Sequence, residues 1–293
     1  MSANRKLSGV AQTLVIPLLA RAESQRLTPK LSFSDPDAQS LLEQVQAQEP
    51  LIEWPEYLQE VRKDRWVLTA CILRAHTVDR LIQKQLNTLQ ALNRRAVVIS
   101  LGAGLCTRRK RIQSPLVRWV ELDLPEVISI KNQIDPVSPE ENTLRIPGSL
   151  FHLEWLSAAQ ILPTEEIILT SEGVLIYFPK DEVETFFSQL GQALRDHPQK
   201  PEKAVFYFDS LQAIPVLISK WASQSIRAAG ARLQWGLSHA RDLEKLDDGY
   251  QALTPIDLSG KTPGILGLSQ KALRAVTGSS VYQIQQLLWK RLP

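Results

Sequence analysis

Residues 96–104, AVVISLGAG, set a nearly unbroken apolar run directly against a glycine–alanine–glycine turn. A short run rich in β-branched side chains suits a strand buried on both faces. Glycines at its exit permit the tight turn and close backbone approach that a charged, nucleotide-like ligand needs. Similar runs occur at about 116–122 (LVRWVEL), 166–171 (EIILTS) and 203–208 (KAVFYF), with a weaker strand near 143–147 and a terminal one over 279–292.

Between these runs the texture is helical. The clearest helix is 181–196, where Val183, Phe186, Phe187, Leu190 and Leu194 recur at helical spacing and Asp181 with Glu184 outlines a capping box. Before residue 95 the chain reads as helix throughout. Asp35 followed by Pro36 is an N-cap with proline in the first turn, leading to Ala38, Leu41, Leu42 and Val45, and a longer helix runs from about Trp66 to Leu92. The pattern predicts an α/β fold with a mostly parallel sheet covered by helices on both faces, residues 96–293 forming the core and 1–95 a helical cap.

A net charge of +3 is too balanced to argue for nucleic acid, and Arg108 to Arg111 reads as a solvated helix start before a phosphate patch. Cys71 and Cys106 form no disulfide framework, and the four histidines are too scattered for a metal site. No apolar run reaches the roughly 18 residues of a membrane span. Arg5 and Lys6, VAQTLVIPLLA and Ala20-Arg21-Ala22 outline a signal peptide, but Gln12, Thr13 and Pro17 interrupt it; a retained N-terminus and a cytoplasmic location are expected.

Ligands of open α/β sheets bind at the carboxyl ends of the strands. Those ends carry Gly102-Ala103-Gly104, then Glu121 and Asp123, then Glu172-Gly173, and finally Asp209. Asp123 stands 21 residues after Gly102, the spacing at which a carboxylate meets ribose hydroxyls. Two arginines lie on apolar helix stripes: Arg21 after Leu14 and Leu18, and Arg74 with Val67, Cys71, Val78 and Leu81. A sheltered guanidinium needs an anion. For Arg74 the protein offers Asp79, Glu121 or Glu172, and the alternative is a ligand carboxylate. Ribose, ammonium and carboxylate together describe S-adenosylmethionine. A dinucleotide competes less well, because Thr107 replaces the third glycine of G-x-G-x-x-G.

Six blocks, TLVIPLLARAES (13–24), ILRAHTVDRLI (72–82), LGAGLCTRRKR (101–111), VRWVELDLPEVI (117–128), GSLFHLEW (148–155) and EGVLIYF (172–178), resemble successive motifs of the leucine carboxyl methyltransferase family, in its bacterial branch related to tetracenomycin-type polyketide O-methyltransferases. The resemblance implies a Rossmann-like, seven-stranded class I methyltransferase sheet with an N-terminal helical cap. It implies that Arg21 and Arg74 bind the methionine carboxylate, that Gly102 and Gly104 line the cofactor and that Asp123 holds the ribose. Ser149 and Leu150 would flank the adenine, Glu172 would meet the amino group and Tyr177 would face the acceptor. Two positions depart from the family pattern: Cys106 stands for an aspartate, and Ser149 for a residue that is often acidic. Cys106 reads as a turn residue, since methyl transfer needs no protein nucleophile.

An ionised carboxylate acceptor requires no general base, whereas a phenol does. His152, the one histidine inside these blocks, reads as a surface or packing residue. A small-molecule carboxylic acid is therefore the expected acceptor. A non-catalytic nucleotide-binding regulator and an NAD(P)-dependent oxidoreductase are the rival readings.

Overall fold

The computed structural model describes residues 13–47, 54–138, 140–212, 231–258 and 280–292. Helices α1 (Val15–Ala22), α2 (Ser24–Leu27), α3 (Pro36–Ala47), α4 (Trp54–Lys63) and α5 (Arg65–Ala91) precede strand β1 (Arg95–Leu101). Then follow α6 (Arg108–Arg111), β2 (Val117–Asp123), α7 (Pro125–Ile134), β3 (Thr143–Pro147), α8 (Glu154–Ala158), β4 (Glu165–Ser171), α9 (Lys180–Asp196) and β5 (Lys203–Leu211). Strands β6 (Tyr250–Ala252), β7 (Ile256–Asp257) and β8 (Tyr282–Lys290) complete the sheet. Residue 279, in the expected terminal strand, and residues 1–12 of the signal-like stretch lie outside the described residues.

The sheet runs β3-β2-β1-β4-β5-β8-β6, with β1 to β5 parallel and β8 antiparallel to both its neighbours. It has eight strands where seven were expected, because the last edge is split. Both β6 and β7 pair with β8, and Pro255 between them has no N–H to continue the ladder. The chain winds outward from β1 to β3 and then returns to β4 on the other side of β1, so the topological switch point lies between β1 and β4.

Alternation along the strands sorts the core onto two faces. Val97, Ile99 and Leu101 pack with Phe186, Phe187 and Leu190 of α9, together with Phe206, Phe208 and Trp289. Val98 and Ile168 face the other way, against Val78, Ile82, Leu86 and Leu89 of α5. The first half of α5 instead joins α1 and α3 in a third core through Val67, Leu68, Cys71 and Ile72. One 27-residue helix, about 40 Å long at 1.5 Å per residue, thus runs from the helical layer onto the sheet. No helix among the described residues is long and apolar enough to cross a membrane.

Two local expectations change. The capping box of α9 does not form: the helix starts at Lys180 with Pro179 as N-cap, which puts Asp181 inside the first turn, where it meets the helix dipole rather than capping an amide. Arg108 to Arg111 is neither solvated nor a phosphate patch. Arg108 and Arg109 are buried, and the short α6 is wedged among carboxylates from four other segments: Asp79 and Glu172 pair with Arg108, Asp135 and Glu141 with Arg109, Asp37 and Asp135 with Lys110, and Asp35 and Asp79 with Arg111.

Asp35 caps α3 as expected, accepting from the Ala38 amide at 3.1 Å. It also accepts from Arg21 Nε at 3.0 Å, from Thr107 Oγ1 at 2.6 Å and from Arg111, with its side chain fully enclosed. Breaking a buried charge set by removing one member costs roughly 3–5 kcal/mol. Asp35→Ala is therefore expected to lower unfolding stability by that order, read as a lower midpoint in urea at an unchanged slope; a loss of only a cap's worth, about 1 kcal/mol, would show that Arg21 and Arg111 find other anions.

Candidate active site

The switch point opens as a cleft at the carboxyl ends of β1, β2 and β4, roofed by α1 and α5. Its wall contains Arg21, Arg74, Gly102, Gly104, Asp123, Ser149, Leu150 and Glu172, so the fold brings all eight expected cofactor contacts to one place. Tyr177 is not in this wall. It lies in a short 3₁₀ turn, Leu175–Tyr177, and faces a second, more apolar cavity with Ile16, Trp66, Val67, Leu211, Leu233 and Tyr282. The two cavities share Thr13, Pro17, Cys71, Arg74 and Gly173.

The glycine turn is held by its own neighbour strand. Gly102 and Ala103 donate to the Leu122 carbonyl at 2.9 and 3.0 Å, and both glycines adopt positive φ, 72° and 49°. Asp123 closes the loop, accepting from the Gly104 amide at 2.6 Å and the Leu124 amide at 2.7 Å. Burial pushes the Asp123 carboxyl above its ordinary value, and these two amides only partly offset the desolvation. On the opposite rim, the Ser149 hydroxyl accepts from the Phe151 amide at 3.3 Å, and the Leu150 carbonyl accepts from Trp155 Nε1 at 3.0 Å.

The cationic wall is built differently from the sequence-level expectation. Arg74 pairs with Asp209, Nη1 to Oδ2 at 3.0 Å, and Tyr282 Oη accepts from the same nitrogen at 3.0 Å. Of the three carboxylates proposed from sequence, only Glu172 is near, 3.6 Å from Nε. Asp79, further along α5, is taken by Arg108 and Arg111, and Glu121, in β2, by Lys131 and Arg145. Arg21 is held by Asp35 and by the Leu105 carbonyl, which accepts from Nη2 at 2.7 Å. Glu172 is ion-paired with Arg108. Arg74 Nε is buried with no hydrogen-bond partner among the described residues, the kind of orphan that a bound acceptor group satisfies.

Cys106 also lines the cleft. Burial raises its thiol, but Arg108, Arg21 and Arg111 together more than offset this and hold it below the usual thiol value. His152 is exposed and is not among the lining residues of either cavity. Sequence reasoning missed Tyr282 altogether and placed Asp209 at a strand end without its partner. Neither sits in a motif, and only the antiparallel pairing of β5 with β8 brings them within 2.6 Å.

Gly173 connects these parts. Its φ is +66°, and a Cβ there would lie 2.8 Å from Arg74 Nη1 and 2.9 Å from Nη2. Gly173→Ala is expected to cost about 1–2 kcal/mol from the left-handed backbone alone and to push the guanidinium out of register. Thermal unfolding and ligand affinity should both fall; an alanine variant with wild-type affinity would show that the position of Arg74 is not critical.

The chain is 28% identical over 248 residues to the tetracenomycin polyketide synthesis O-methyltransferase TcmP of Streptomyces glaucescens, covering 84% of this chain and 82% of that one. It is 25% identical over 154 residues to the S-adenosyl-L-methionine-dependent methyltransferase dpfgK of Gibberella zeae, covering 51% of each. In fold it is similar to a protein of Thermobifida fusca whose name assigns it to the methyltransferases, with a TM-score of 0.51, 14% identity and coverage of 94% of this chain and 95% of that one. Residues 15–191, from α1 through most of α9 and including every expected cofactor contact, match the leucine carboxyl methyltransferase family model, and the chain belongs to that family.

Proposed function

We propose that this protein methylates the carboxylate of a small, largely apolar acid held in the second cavity. The chain is an S-adenosylmethionine-dependent O-methyltransferase. The observation that carries the acceptor reading is the chemistry of the second cavity. Its titratable groups among the described residues are Cys71, Arg74, Tyr177 and Tyr282. Burial pushes the thiol and both phenols above their ordinary values, so each stays protonated at neutral pH, and the guanidinium donates only. A phenolic acceptor would find no base among these described residues, whereas a carboxylate arrives already ionised.

The first cleft fits the cofactor by its donor set. Gly102 and Gly104 let the backbone approach, the Asp123 carboxylate suits the ribose hydroxyls, and Ser149 with Leu150 suits the adenine edge and face. Glu172 suits the amino group, and Arg74, with its unsatisfied Nε, suits the carboxylate. Arg21, already tied to Asp35 and Leu105, contributes charge more than a free donor. The cofactor, when bound, supplies an activated methyl on its sulfonium. The protein's part is alignment, which supplies on the order of 7–11 kcal/mol of such barriers. Tyr177 forms part of the acceptor wall, its hydroxyl bonded to Thr13. Thr13, Leu14 and Pro17 close over the glycine turn, so the described helices that precede β1 act as a lid.

Two measurements test this. With saturating cofactor, transfer to a carboxylic acid is expected to be flat between about pH 6 and 8, with a methyl ester identified by mass spectrometry. A phenol would instead show a rate rising about tenfold per pH unit below its pKa near 10, and such a slope with the best acceptor would refute the carboxylate reading. Cofactor affinity should fall on acidification through the raised value of Asp123, starting above the ordinary 3.8, because a protonated carboxyl accepts hydroxyl hydrogen bonds poorly. The sign for stability is opposite: burial of Asp123 favours its protonated form, so its contribution to the unliganded fold is present at low pH and lost as pH rises. Calorimetric titration across that window, with Asp123→Asn removing the pH dependence, is the check.

A further inference from the structure

Two side chains beyond the family-matched stretch, Asp209 in β5 and Tyr282 in β8, converge on Arg74. Asp209 is 1% exposed and uses both oxygens: Oδ2 accepts from Arg74 Nη1 at 3.0 Å and from the Tyr282 hydroxyl at 2.6 Å, and Oδ1 accepts from the Gly173 amide at 2.7 Å. Tyr282, also buried, gives its proton to Asp209 and offers its oxygen to Arg74 Nη1. The three groups close a triangle around one corner of a planar guanidinium.

A guanidinium is rigid, so fixing one nitrogen to two acceptors fixes the directions of the others. Here that leaves Nε without a hydrogen-bond partner among the described residues, since Glu172 Oε2 at 3.6 Å is beyond hydrogen-bond reach. Arg74 lines the first cleft, while Tyr282 lines only the second. The arrangement satisfies one end of the guanidinium with protein and reserves another for something else.

We propose that Tyr282 and Asp209 are positioning residues that lock Arg74 with its Nε presented to the amino-acid carboxylate of the cofactor. This rests on the reading of the first cleft as the S-adenosylmethionine site. It assigns a binding role to the C-terminal strand β8, and it makes the antiparallel β5–β8 pairing part of the cofactor site rather than a distant edge of the sheet. The Asp209 bond to the Gly173 amide extends the lock to the backbone beside Glu172, so one carboxylate sets both the donor for the carboxylate and the turn carrying the acceptor for the amino group.

The test compares two ligands by calorimetry: S-adenosylhomocysteine, which carries the amino-acid part, and 5′-methylthioadenosine, which does not. Tyr282→Phe is expected to weaken S-adenosylhomocysteine about tenfold, the size of one hydrogen bond to a charged group, and to leave methylthioadenosine within about twofold. Asp209→Asn should follow the same pattern, and Tyr282→Phe should add nothing further in an Arg74→Lys background, since the two act through one group. Equal losses for both ligands, or additive losses in the double variant, would mean that Tyr282 is merely structural and would overturn the proposal. Wild-type protein that binds both ligands while Tyr282→Phe matches it would overturn the proposal and leave the cofactor reading standing. Wild-type protein that binds neither would overturn both.

Discussion

Four arginines and four carboxylates, buried or half-buried together under the cleft, are the constraint on which the rest of this structure depends. Arg21, Arg74, Arg108 and Arg111 meet Asp35, Asp79, Glu172 and Asp209, and the set draws on α1, α5, α6, the cap of α3 and the ends of β4 and β5. Placing such charges out of water is costly unless each finds a partner with good geometry. The partners come from segments far apart in sequence, so the set is complete only when the helical layer, the glycine turn and the strand ends are all in place. An apolar core of the same volume would tolerate small misalignments; this one does not, and that intolerance gives the cleft a defined shape before any ligand arrives.

The long helix α5 transmits this constraint. Its first half packs with α1 and α3, its second half covers one face of the sheet, and Arg74 lies where the two regimes meet. A helix is stiff over this length, so the position of the roof relative to the strand ends follows from how Val78, Ile82, Leu86 and Leu89 seat on the sheet. The aromatic packing of Phe186, Phe187, Phe206 and Phe208 on the other face holds the sheet from behind. The division into a charged cleft and an adjoining apolar cavity lined by Trp66, Tyr177 and Tyr282 follows from the same geometry, with Arg74 and Cys71 on the boundary.

Much of the site was legible because its residues act locally. A glycine turn after a buried strand, an acid 21 residues on, and an arginine on an apolar stripe each report a single element, and the period of that element decides where the side chain goes. The same logic failed where the deciding contact is remote. For a pairing of Arg74 within the protein, the sequence offered Asp79, Glu121 or Glu172, yet its principal protein partner is Asp209, which comes from a strand 135 residues away. Arg108 to Arg111 looked solvated because a run of like charges carries no sign of the acids that other segments will bring to it. Asp35 looked like a cap and is one, but its second oxygen, which binds Arg21, Thr107 and Arg111, has no signature in the local sequence.

The sequence by itself determined the class of fold, the parallel order implied by the βαβ rhythm, the cleft at the glycine turn and six residues of its wall, because hydrophobic period and turn chemistry are properties of short stretches; Ser149 and Leu150 came only from the family resemblance. Tertiary structure alone decided which charge neutralises which, that the sheet's last edge breaks at Pro255 into two short strands, that Tyr177 faces a second cavity, and that β8 delivers Tyr282 to Arg74. Pairing of buried charges depends on distance and direction in three dimensions, and those are set only when strands from opposite ends of the chain come into register.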